Sequence, residues 1–147
     1  MWEVTFYTRK LRPGVHEMLE GLKGLGLRLG VISNTASLFQ VFAVLEDYGI
    51  RDYFADVTLS SITGYRKPHP YIFKIALRQL RANAAESAYV GDTLSRDVIG
   101  PRNAGFAKTF QIHSFLTDSR DGNLADSVAA DHTIRDIREV YTILRDE

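Results

Sequence analysis

Two aspartates five residues apart, Asp92 and Asp97 in the run Tyr89-Val90-Gly91-Asp92-Thr93-Leu94-Ser95-Arg96-Asp97, are the side chains here best suited to hold a divalent cation. The apolar stretch Ala88–Val90 reads as a buried strand, Gly91 permits a sharp turn, and Asp92 falls just past the strand's carboxyl end. In an open parallel sheet that is the edge where ligands bind. Asp97 lies near the start of the next helix. Carboxylates so placed suit Mg2+, which takes a few hard oxygen ligands and keeps several waters. The plainer use of the same pair is structural, since aspartate is favoured at helix N-caps and in first turns.

Two other stretches carry groups that could meet an anion at that edge. Ser33-Asn34-Thr35 follows the apolar run Leu27–Ile32. A hydroxyl with free backbone N–H groups at a helix start makes an anion site. Taken alone, Ser33 or Thr35 is better read as the N-cap of the following helix. Lys67 stands in Gly64-Tyr65-Arg66-Lys67-Pro68-His69-Pro70, where two prolines stiffen the loop and fix where the ammonium points. A stiff loop delivering a point charge suits a phosphate or a carboxylate pair. One more solvated lysine is the ordinary alternative. His16, His69, His113 and His132 show no metal-ligand spacing and read as structural or surface residues.

Composition narrows the classes. The 147 residues fit one domain, 1–147, with enough chain for a real core. Lysine plus arginine equals aspartate plus glutamate at 18 each, so no global field draws in nucleic acid or an anionic membrane. Any anion binding must come from local groups. The sequence has no cysteine, which excludes disulfides, thiolate metal sites and a cysteine nucleophile. No apolar run approaches the ~18 residues of a membrane span, and no signal pattern opens the chain, so a cytoplasmic setting is expected.

The elements that must position these groups follow from periodicity. Trp2–Thr8 alternates as a strand does, with a helix as the other reading. Arg12-Pro13-Gly14 opens a helix with Val15, Met18, Leu19 and Leu22 on one face. Leu27–Ile32 is a predicted strand. A second helix carries Leu38, Val41, Phe42, Leu45 and Tyr48 inward and stops at Gly49. Asp56–Leu59 is a short strand, and Ser60–Pro70 a loop. Pro70 starts a helix with Ile72, Phe73, Ala76, Leu77 and Leu80 inward. After the Ala88–Asp92 strand, Gly100-Pro101 predicts a kink or late start in the next helix. Ala107–Ile112 is a strand, Thr117–Asp131 the least ordered stretch, and Asp131–Ile134 an edge strand. A closing helix turns Ile137, Val140, Tyr141 and Leu144 inward. The alternation argues an α/β fold with a doubly wound parallel sheet.

In order, SNT after one strand, GYRKPHP in a loop and GDTLSRD after another strand closely resemble the haloacid dehalogenase-like hydrolase superfamily, especially the phosphatase branch that includes phosphoglycolate phosphatase-like enzymes. The resemblance runs from about Leu11 to His113, and Ala130–Leu144 looks like the family's closing segment. It implies a Rossmann-like core acting on a small phosphorylated metabolite. By that likeness Ser33 holds the transferring phosphoryl group with the Asn34 backbone beside it, and Lys67 neutralises the phosphoryl oxygens. Asp92 then coordinates Mg2+, and Asp97 supports that site directly or through water. Such transfer is mostly positioning and charge stabilisation.

The sequence departs from the family in one respect. There the attacking group is an aspartate of a DxD motif ending the first, central strand. No DxD occurs here, and nothing acidic follows an apolar strand before Ser33. Val4–Arg9 would place Tyr7 and Arg9 where the carboxylates belong, and neither does that work. The expectation is a core missing its N-terminal strand and cap, with residues absent upstream. No cap-sized insert fits between Thr35 and Lys67. Without its middle strand the sheet becomes two half-sheets, bridged by Trp2–Thr8, by a second copy or by a partner chain. Two functions follow: a Mg2+-dependent hydrolase core whose nucleophile lies outside this chain, or an inactive phosphate- and metal-binding or interaction module.

Overall fold

Val15, Met18, Leu19 and Leu22 recur at helical spacing, and all four are buried on one face of helix α1 (Val15–Gly24) in the computed structural model, which describes residues 11–113 and 128–147. Strand β1 (Gly30–Ser33) then pairs in parallel with β2 (Asp56–Leu59). Between them lies α2 (Gln40–Asp47), and after β2 come α3 (Ser60–Thr63) and α4 (Pro70–Leu80). Strand β3 (Ala88–Gly91) pairs in parallel with β4 (Lys108–Ile112), with α5 (Gly100–Asn103) between them. β4 pairs in parallel with β5 (His132–Ile134), and α6 (Arg138–Arg145) closes the chain. The fold is α/β and Rossmann-like, with parallel strands and helices on both faces. No helix among the described residues is long and apolar enough to cross a membrane. The predicted Trp2–Thr8 strand and most of Thr117–Asp131 lie outside the described residues.

Consecutive strand residues point to opposite faces, and the two apolar clusters show it. Val31 packs with α1, Leu45, Ile50, Phe110 and Ile112 on one face. Its neighbour Ile32 packs with Ile72, Phe73, Ala76 and Tyr89 on the other. Both clusters therefore draw on β1 and on the β3–β4 sheet. Yet among the described residues the strands form two sheets, β1–β2 and β3–β4–β5. Adjacent strands lie about 4.8 Å apart and exchange ladder bonds; β1 and β3 share a core without doing so and are not neighbours.

Three boundaries differ from the sequence reading. β1 starts at Gly30 rather than Leu27, because the main chain of 25–27 is still closing α1 onto the Gly21, Leu22 and Lys23 carbonyls. α2 starts at Gln40, since the Ser37 hydroxyl accepts from the Phe39 and Gln40 N–H groups. Leu38 consequently lies outside the helix and is 48% exposed, not inward. The predicted loop after β2 opens with the helical turn of α3. At Gly100-Pro101 the expected irregularity takes the form of a wide π-helical stretch, Ser95–Ile99, running into α5. Pro101 then sits in the first turn of α5, where its missing N–H is tolerated.

Candidate functional site

Asp92 stands one residue past β3 and is only 4% exposed. The wide turns that follow bring Asp97 back over the strand end, close against Gly91. A Cβ at position 91 would lie 2.4 Å from the Asp97 Cβ and Cγ, so only glycine admits this approach. Asp97 Oδ2 accepts from the backbone N–H of Asp92 (3.2 Å) and of Thr93 (3.1 Å). Its Oδ1 accepts from Lys67 Nζ at 2.7 Å. Burial alone would push the Asp97 carboxyl up; nearby positive charge, the Lys67 ammonium foremost, with the Thr93 N–H adding to it, holds the group below its ordinary value. Asp97 is thus the counter-ion of Lys67 and the anchor of the Asp92–Thr93 turn.

Asp92 is oriented by its own neighbours. Thr93 Oγ1 donates to Asp92 Oδ1 at 3.1 Å and in turn accepts from Arg96 Nη2 at 3.0 Å. Gln111 Nε2, from β4, donates to the Asp92 carbonyl at 3.2 Å. Among the described residues no group of three or more His, Asp or Glu side chains gathers as a metal cluster. The candidate donor set here is the Asp92 carboxylate backed by Asp97.

Lys67 is 7% exposed, not a solvated surface residue. Its main chain is clasped by Asn34: Asn34 Oδ1 accepts from the Lys67 N–H at 2.7 Å and Asn34 Nδ2 donates to the Lys67 carbonyl at 3.1 Å. Its ammonium also donates to the Tyr89 hydroxyl at 3.3 Å. Burial first, and then the Asp97 charge, push the Tyr89 phenol well above its ordinary value. His69, two residues on, accepts from Tyr71 N–H through Nδ1 and caps α4, so the lysine loop ends in a fixed helix start.

Ser33 ends β1, half-buried, and its hydroxyl makes no hydrogen bond with a described residue. Thr35 is tied to α3 instead: its N–H donates to Ser60 Oγ at 2.8 Å, and that hydroxyl donates to the Thr35 carbonyl at 3.0 Å. Neither Ser33 nor Thr35 caps α2. The four histidines serve packing and caps or lie at the surface; His132, for example, stacks on Phe110.

A continuous run of contacts therefore joins Asn34, Lys67, Asp97 and Asp92, with Ser33 next along the chain from Asn34. Sequence reasoning assigned Asn34 only a backbone role, and the structure gives its side chain the task of fixing Lys67. Thr93, Gln111 and Tyr89 also escaped it. No sequence spacing links Asn34 with Lys67, 33 positions on; the polar amide at a strand end was the available signal.

The family model for haloacid dehalogenase-like hydrolases matches residues 2–105. A glyceraldehyde 3-phosphate phosphatase of Pyrococcus abyssi is 39% identical over 99 residues, covering 67% of this chain and 41% of the relative. One from Methanocaldococcus jannaschii is 31% identical over 97% of this chain and 62% of its own. A haloacid dehalogenase (HAD) phosphatase structure from Thermococcus onnurineus superposes with a TM-score of 0.77 at 30% identity, over 92% of this chain and 58% of that one. A magnesium-bound HAD-hydrolase structure from Bacillus subtilis, at 23% identity, shares the fold with a TM-score of 0.76 over 93% of this chain and 56% of its own. The chain thus spans roughly 41–62% of the length of these relatives. With the strand-end Asp92, the Lys67–Asp97 pair and this match across most of its length, the chain belongs to the haloacid dehalogenase-like hydrolases.

Proposed function

We propose that this chain is the core of a Mg2+-dependent phosphomonoester hydrolase, to which it contributes the anion-binding and metal-holding groups. One observation carries the reading: a buried ammonium, Lys67, is held 2.7 Å from Asp97 Oδ1 while the other oxygen of Asp97 pins the Asp92 backbone. Cation and carboxylate are thereby fixed relative to one another at the carboxyl end of β3. The donor chemistry fits magnesium, since a strand-end carboxylate supplies the hard oxygen that the ion takes together with water. Asp92 would hold the ion, and Asp97, whose oxygens face N–H donors, would support Asp92 from behind. When bound, the ion supplies Lewis-acid stabilisation of a phosphoryl oxygen.

The chain's own groups do the rest by position. Lys67, shielded from water, stabilises charge on phosphoryl oxygens more strongly than an exposed lysine would. Ser33 offers a hydroxyl that no described residue occupies. Asn34 keeps the lysine main chain in register with that strand end. Relatives named glyceraldehyde 3-phosphate phosphatase and a magnesium-bound structure of the same fold support a small phosphorylated substrate and this metal.

A second reading, a phosphate- and metal-binding module without turnover, is favoured by one sequence fact. No DxD occurs, and no aspartate precedes Asp47. Assay of the purified chain with p-nitrophenyl phosphate and Mg2+ separates the two. Turnover that disappears in Asp92→Ala supports the hydrolase, whereas saturable binding of phosphate and Mg2+ with no product supports the module. Neither binding nor turnover would overturn both.

A further inference from the structure

Lys67 has three ammonium protons, and a buried ammonium costs free energy unless they are met. Asp97 Oδ1 takes one at 2.7 Å. The second acceptor is the Tyr89 hydroxyl at 3.3 Å, and no other side chain among the described residues accepts from Nζ. Tyr89 is 7% exposed, and its hydroxyl is the polar end of an otherwise apolar cluster on that face of the sheets.

The ring carrying that hydroxyl is itself locked. Phe73 meets it edge-on at 5.4 Å and 77°, Phe106 at 5.8 Å and 82°, and the two phenylalanines meet each other at 5.9 Å and 75°. Edge-to-face trios of this kind are favoured geometries and restrict ring motion. Phe73 is held in turn by the close approach of α5: a Cβ at Gly100 would lie 2.8 Å from Phe73 Cε2 and 3.2 Å from Pro68 Cα. The lysine loop, at Pro68, and Phe73, on which the Tyr89 ring packs, therefore meet at the same glycine.

We infer that Tyr89 is a positioning residue, whose hydroxyl fixes the direction of the Lys67 ammonium so that its remaining proton is left for the anion. This rests on the proposed phosphate site only for what the third proton meets. The fixing itself is a property of the chain alone. A lysine has a flexible four-carbon stem, and one carboxylate contact leaves its head free to swing. Two acceptors at different places, Asp97 Oδ1 and Tyr89 Oη, determine it. The ring contributes little by cation–π attraction, because Nζ lies 5.7 Å from the centroid, near the outer limit of that interaction.

Tyr89→Phe in the full chain isolates the hydroxyl, since the ring packing survives. The first measurement is the proton-exchange rate of the Lys67 ammonium in 1H–15N spectra, with the signal identified by its loss in Lys67→Met. The second is the dissociation constant of orthophosphate with Mg2+, followed by 31P NMR. In Tyr89→Phe the exchange rate and the dissociation constant should each rise roughly five- to tenfold, as loss of one longish hydrogen bond to a charged group implies. Ile112→Val, a core change in the other cluster, should lower stability and move neither. Unchanged ammonium exchange in Tyr89→Phe would overturn the inference and leave Tyr89 a core residue. Faster exchange in a chain that binds no phosphate would uphold the positioning and sink the phosphate site instead.

Discussion

The two strand ends that carry the candidate site are built in opposite ways. At the end of β3, Asp97 alone accepts from three N–H groups, its neighbours are buried, and Gly91 is shaved to let it in. At the end of β1, Ser33 is half-buried and its hydroxyl bonds to no described residue, and the fixed group is the side chain of Asn34, which holds Lys67. The carboxylate side is over-determined, and the hydroxyl side has no partner among the described residues. That is the division expected where one half must keep charges in place and the other must receive something. It implies that substitutions around Asp97 show first in stability, while loss of the Ser33 hydroxyl shows first in binding.

Removing one partner of the buried pair should produce the largest effect. Lys67→Met leaves the Asp97 carboxylate uncompensated at 2% exposure, a change worth about 3–5 kcal/mol of folding stability. Its pH dependence sharpens the test. In the natural chain Asp97 titrates below its ordinary value, so its contribution is present above the unfolded carboxyl value and is lost as pH falls through the folded one. Without Lys67, burial dominates and raises the carboxyl, so the variant recovers stability as pH falls. Urea unfolding at pH 7 and at pH 5 should therefore show the gap between the two proteins narrowing on acidification. A constant gap would mean that Lys67 is not what holds Asp97 ionised.

Gly91→Ala comes next. The added methyl meets the Asp97 side chain at 2.4 Å on a braced turn, and overpacking of this kind costs about 1–3 kcal/mol. Thermal unfolding measures it. A neutral outcome would show that the turn around Asp92 yields easily, against the rigidity argued for this side.

What could be read in advance divides along the same line. β2 at Asp56–Leu59 and the inward face of α1 were legible because local periodicity and burial agree there. Asp92 and Lys67 could be singled out because a strand-end carboxylate and a proline-flanked lysine are local patterns, and both are buried in one connected cluster. The late start of α2 was not, since the Ser37 hydroxyl overrides the apolar spacing that would include Leu38. Nor was the Asn34–Lys67 clasp, or the reception of Lys67 by Tyr89, because nothing local marks partners 33 and 22 positions apart. The split of the described strands into two sheets had no local signal, because pairing partners are set by the whole sheet rather than by neighbouring residues.

Asn34→Ala tests the link between the two sides. It removes two hydrogen bonds to the Lys67 main chain, one of 2.7 Å, and should cost about 1–2 kcal/mol. Because the loop rather than the ammonium is released, orthophosphate binding should weaken together with stability. Loss of stability with binding untouched would mean that Asp97 and Tyr89 hold Lys67 without help from β1.

Ser33→Ala should change stability least and is the most discriminating about function. The hydroxyl bonds to no described residue, so its removal should leave the unfolding midpoint within about 0.5 kcal/mol of the natural chain. If the hydroxyl side receives the anion, orthophosphate binding in the presence of Mg2+ should weaken several-fold, as loss of one hydrogen bond to a charged ligand predicts. The sign of the comparison thus reverses from one strand end to the other: Gly91→Ala damages the fold and Ser33→Ala damages the ligand. A Ser33→Ala chain that binds orthophosphate as the natural one does would remove β1 from the site and leave the carboxylate side to act alone.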